Sequence, residues 1–113
     1  MISYTRVNAN DAKEIIFCLQ NINKDKAYEN NVIPEYLTKH LNCEEIPQPY
    51  NLQIKFKRDG ITFLYIPDDF IGSYFSSENH QMESNEYYDK LEKVVQELVE
   101  VLNKYFDNEA EME

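Results

Sequence analysis

The sequence predicts an α+β fold, a small antiparallel sheet with helices segregated to one side, and three stretches carry that prediction. The first is an uninterrupted amphipathic segment over residues 85–106. Tyr88, Leu91, Val95, Leu98, Leu102 and Tyr105 recur at alternating steps of three and four, which holds them on one stripe of a helix. Tyr87, Val94, Val99, Val101 and Phe106 widen the stripe beyond a coiled-coil seam, so this helix is shaped to lie on a sheet. The second is Asp59-Gly60 between two alternating runs, the signature of a type I′ hairpin over residues 51–66. Pairing outward from that turn sets Arg58 against Ile61, Phe56 against Phe63 and Ile54 against Tyr65. Leu52, Ile54, Phe56, Ile61, Phe63 and Tyr65 then share one apolar face, and Gln53, Lys55, Lys57 and Thr62 share the other with Leu64 and Ile66. The third is the alternating, β-rich start, which predicts a strand over residues 2–7.

The remaining elements follow in order. Asp11 with Glu14 has capping-box spacing, and Ile15, Ile16, Leu19 and Ile22 fall on one side, predicting a helix over 11–22. Residues 23–31 are polar and read as a loop. Pro34 suits a first helical turn, and Tyr36, Leu37, His40 and Leu41 supply an apolar side, predicting a helix over 34–43. Pro47 and Pro49 bracket an extended linker. Phe70 to Phe75 predicts a further strand, 70–75, with Gly72 marking a bulge or bend. Ser76 to Glu83 reads as a polar loop, and Ser84 or Asn85 is placed to cap the last helix. Residues 1–106 make one domain in this reading, followed by a frayed acidic tail, 107–113.

Charge narrows the function classes. The net charge is −10, and it is unevenly placed. Residues 1–66 hold eight basic and eight acidic side chains, whereas residues 67–113 hold three basic and thirteen acidic ones. That balance argues against contact with nucleic acid or anionic lipid through the second part and favours a basic partner. No apolar run approaches the length of a membrane span, and the N-terminus lacks the basic start and apolar core of a secretion signal. A cytoplasmic protein is expected, with Cys18 and Cys43, which form no CxxC spacing, as reduced and buried thiols. Abundant Asn, Lys, Ile and Tyr without Trp is the coding bias of AT-rich genomes, such as those of low-GC bacteria, their phages and plasmids.

Catalytic signatures are sparse. A phosphate-cradling loop needs clustered glycines, and Gly60 and Gly72 stand alone. Glu78, His80 and Glu83, with Asp68 and Asp69, resemble metal ligands only by residue type and read more simply as solvated loop residues. His40 and Cys43 could pair as base and nucleophile, but nothing places an orienting acid or an oxyanion hole beside them. Lys55, Lys57 and Arg58 alternate with aromatics, yet strand alternation turns Lys55 and Lys57 away from the rings on which bases would stack. No enzyme activity, cofactor or metal is therefore expected.

A binding surface remains. Glu86, Asp89, Glu92, Glu97 and Glu100 recur around the solvent side of the last helix, and Asp107 extends the charge. Tyr28, Tyr50, Tyr74 and Tyr87 are the expected exposed tyrosines, and Tyr74 and Tyr87 the expected anchors. The expected role is inhibition: the acidic helix occludes the groove of a basic, nucleic-acid-handling partner such as a nuclease. Immunity proteins and phage-encoded anti-defence inhibitors share this profile of size and charge. The alternative is a structural or adaptor subunit that homodimerises through Val94, Val101 and other apolar residues outside the central stripe.

Overall fold

The chain, seen in a computed structural model, is described over residues 1–9, 14–29, 31–47, 53–67, 72–78 and 82–106. One antiparallel sheet of six strands carries three helices on one face. The strands are β1 (Ser3–Ala9), β2 (Glu14–Gln20), β3 (Glu44–Ile46), β4 (Ile54–Arg58), β5 (Ile61–Ile66) and β6 (Tyr74–Ser77), in the spatial order β1-β2-β6-β5-β4-β3. The helices are α1 (Lys24–Glu29), α2 (Val32–Lys39) and α3 (Asn85–Tyr105).

The β4–β5 hairpin has the predicted register, with Arg58 on Ile61, Phe56 on Phe63 and Ile54 on Tyr65. Its turn places Asp59 at φ 53° and Gly60 at φ 81°, the pair of positive angles a type I′ turn requires. Phe56, Phe63 and Phe75 are fully buried and their rings follow one another across β4, β5 and β6, with centroids 5.9 and 6.1 Å apart. Above them α3 buries Tyr88, Leu91, Val95, Leu98 and Leu102. Its first turn is closed by Ser84, whose side chain accepts the Tyr87 N–H at 3.1 Å. At 1.5 Å per residue α3 runs roughly 30 Å, enough to cross the sheet.

The expected helix over 11–22 is instead strand β2. Glu14 to Leu19 are six consecutive buried residues, because β2 lies inside the sheet and is covered on both faces. A doubly buried strand loses its alternation and reads as a continuous apolar run, which periodicity cannot separate from a helix. Residues 11–13 of that expectation lie outside the described residues. The expected loop over 23–31 contains α1, whose start is capped by the Asn23 side chain accepting the Lys26 N–H at 3.0 Å. Helix α2 begins two residues before Pro34 and stops at Lys39, short of the expected 43, because Asn42 turns left-handed at φ 58°. Instead of a plain linker, β3 forms before Pro47 by pairing with β4, while Pro49 and Leu52 lie outside the described residues. Of the strand expected over 70–75, residues 70 and 71 lie outside the described residues, and β6 runs over Tyr74–Ser77, following a bend at Gly72 with φ 86°. Ser76 and Ser77, expected in a loop, are strand residues with no exposed surface. Among the described residues no helix is long and apolar enough to cross a membrane.

Candidate functional site

The acids of α3 divide into two kinds once their surroundings are known. Glu92 is held by the sheet edge below it. Its Oε2 accepts the Tyr4 hydroxyl at 2.7 Å, and its Oε1 accepts Arg6 Nη1 at 3.0 Å. Glu97 is held likewise at the hairpin end, where Arg58 Nη2 donates to both carboxylate oxygens at 3.0 Å. Off the helix, Glu78 takes Lys55 and accepts the Thr62 hydroxyl at 2.6 Å, and those two bonds hold its carboxyl below the usual range. In each case a base from residues 1–66 neutralises an acid from residues 67–113. The charge asymmetry along the sequence is thus larger than the asymmetry on the surface.

Asp89 and Glu100 are the other kind. Both are exposed, and neither has an ion-pair partner among the described residues. Eleven residues separate them, close to three helical turns, so they point the same way from a rod fixed by its buried face. Glu86 is also exposed and lies 3.7 Å from Lys90. Asp107, the last predicted carboxylate, lies outside the described residues.

Neither of the two tyrosines expected to be exposed anchors is fully exposed. Tyr87 is half-buried and donates its hydroxyl to the Thr62 carbonyl at 2.6 Å, tying α3 to β5, and burial pushes that phenol's pKa upward. Tyr74 is half-buried on the opposite face of the sheet, opposite Cys18 and Ile66, away from the α3 acids. Of the other tyrosines expected to be exposed, Tyr50 and the Tyr28 side chain lie outside the described residues. Among the described residues the exposed tyrosine is Tyr105, placed by its spacing on the buried stripe but 56% accessible at the end of α3. It stacks on His40 at 5.2 Å, and His40 meets Tyr36 edge-on at 4.9 Å. The final position of an amphipathic helix runs past the core it covers, and that was the available signal. Val94, proposed for an apolar interface, is 1% exposed in the core, and Val101 packs against the same core.

The remaining chemistry is dispersed. His40 is exposed, whereas Cys43 is buried, and burial outweighs the adjacent Arg58 cation to raise its thiol to about 11. Cys18 is buried and likewise raised. A thiol so placed is a poor nucleophile. Ellman's reagent at pH 8 is therefore expected to label neither cysteine in the native protein and both in guanidinium. Rapid native labelling of Cys43 would show the thiol to be reactive. Of the metal-like residues, Asp68, Asp69 and His80 lie outside the described residues, and the described ones contain no group of three possible ligands. A cleft of about 250 Å³ lies between the hairpin and the start of α3, lined by Ile61, Glu83, Ser84, Glu86, Tyr87 and Lys90. Lys90 is occupied there, donating to the Asp59 carbonyl at 3.2 Å.

The chain matches no family model, no curated protein and no solved structure.

Proposed function

We propose that this is a non-enzymatic binding protein that inhibits a basic, nucleic-acid-handling partner by occupying its nucleic-acid groove. The observation that carries the reading is the pair Asp89 and Glu100, exposed and unpaired among the described residues on one line of a rigid helix. The chain as a whole bears a net charge of −10, so attraction at long range speeds encounter and the two fixed carboxylates set the docking line. Glu92 and Glu97 support the surface by locking α3 to the sheet and are not themselves available for docking.

The test is capture from a lysate of the encoding organism with tagged protein at about 50 and about 300 mM salt, which brackets effective screening. A bait carrying Asp89→Lys and Glu100→Lys is expected to hold the partner more than about tenfold less well. A control bait with Glu44→Lys and Glu45→Lys makes the same change of net charge on β3, at the far edge of the sheet, and is expected to retain it. Equal loss with both baits would assign the effect to net charge alone. A partner indifferent to salt and to both reversals would contradict the reading.

A further inference from the structure

The two edges of the sheet are built differently. Strand β3 is three residues long and carries Glu44 and Glu45, the short and charged form that discourages further pairing. Strand β1 is seven residues long, lacks proline, and carries one charge, Arg6, which Glu92 already neutralises. The hydrogen bonds show which of its peptide groups are spent. Leu19 N–H donates to the Ser73 carbonyl at 2.9 Å, on the β6 side. By the two-residue period of a strand, Ile15, Phe17 and Leu19 therefore direct their peptide groups toward β6, and Glu14, Ile16, Cys18 and Gln20 direct theirs toward β1. Their register partners Ala9, Val7, Thr5 and Ser3 are consumed by the β1–β2 ladder. Ile2, Tyr4, Arg6 and Asn8 then point outward.

Ile2 is closed off. The Asn103 side chain accepts its N–H at 2.8 Å and donates to its carbonyl at 2.9 Å, imitating one residue of a neighbouring strand. Tyr4, Arg6 and Asn8 have no such substitute among the described residues, leaving three donors and three acceptors in a row. The side chains of these residues lie on the helix face of the sheet, in the rows of Leu19, Phe17 and Ile15. Along the same edge α3 presents Glu92, Gln96 and Asn103 to β1, and Asp89 and Glu100 continue that line. On the other face Thr5 and Val7 are exposed, Val7 to 38%.

We infer that the open edge of β1 accepts an extended segment of the basic partner as a seventh strand, with cationic side chains toward α3 and apolar ones beside Thr5 and Val7. This rests on the binding function proposed above and specifies how that partner is held. Pairing of two copies through β1 would set the acidic flank of one α3 beside that of the other, in chains that each carry −10, so charge complementarity selects a basic occupant. Backbone hydrogen bonds supply the affinity in such strand addition, and alternate side chains the specificity.

The test uses a nine-residue peptide of alternating arginine and valine, with binding followed by titration and by amide exchange in the protein. Residues directly opposite one another in a hydrogen-bonded antiparallel pair share a face, so the arginine amides point at β1 and the valine amides away. The peptide is expected to bind and to protect the Tyr4, Arg6 and Asn8 amides. N-methylation at the arginines should weaken binding at least about tenfold, and at the valines by less than about threefold. Equal binding of the two N-methylated peptides, or no binding by the parent, would overturn strand addition without touching the charge-reversal result above. Equal binding of a glutamate–valine peptide would overturn the basic occupant. A dimer of the protein alone, seen by sedimentation and abolished by Asn8→Pro, would identify a second copy as the occupant and overturn the assignment.

Discussion

Leu98→Ala is expected to lower the unfolding free energy by about 3 kcal/mol, the cost of removing a buried isobutyl group and leaving a partly collapsed cavity. Leu98 has no exposed surface and sits in the middle of α3's buried stripe, between Leu91 and Leu102. A chain of this length should lose roughly 12 °C in melting temperature for that change. Leu98→Met, which conserves volume, should cost under about 1.5 kcal/mol. Chemical denaturation of the three proteins checks both values. If alanine and methionine behave alike, α3 is not packed on the sheet as described, and the rod that fixes Asp89 and Glu100 is lost with it.

Tyr88→Phe has the next largest expected effect, about 2 to 3 kcal/mol, although it removes one oxygen atom. The Tyr88 ring is fully buried, and its hydroxyl accepts the Ile15 N–H at 3.3 Å and the Glu83 N–H at 3.1 Å. Ile15 directs its N–H toward the β6 side, where the β2–β6 register ends at Phe17 and does not reach it. The phenol therefore continues a ladder that has run out and joins β2 to the approach to α3. Phenylalanine would fill the space but take this acceptor from the buried Ile15 N–H and the part-buried Glu83 N–H, and that asymmetry makes the loss larger than one hydrogen bond is worth. Amide exchange at Ile15 should accelerate by more than the global destabilisation explains. Unchanged exchange there would show that the hydroxyl is not the acceptor.

Local patterns in the sequence predict what local physics decides. The β4–β5 register follows from Asp59-Gly60 and two alternating runs, and α3 follows from its stripe, the absence of Gly and Pro, and the Ser84 cap. What depends on distant neighbours is not legible. Strand β2 is interior to the sheet, and burial on both faces erases the alternation that would mark it. β3 is defined only by its partner β4 and is otherwise three residues ahead of a proline. The candidate site divides along the same line. That α3 would expose acids was readable from its amphipathic pattern. That Glu92 would meet Arg6, and Glu97 meet Arg58, was not, since those partners lie 86 and 39 positions away and are brought close only by the sheet order. Tyr87 looked like an exposed anchor because it flanks the stripe, but a backbone carbonyl on β5 claims its hydroxyl.

Occlusion of a partner's nucleic-acid groove by the α3 surface is read out by a competition titration. The captured basic protein, bound to a fluorescent oligonucleotide, would be titrated with this chain at about 100 mM salt, where the Debye length is about 10 Å. Release of the oligonucleotide is expected as one equivalent is added, with no release by the Asp89→Lys, Glu100→Lys protein. A stable ternary complex, with the oligonucleotide still bound at saturating chain, would contradict it.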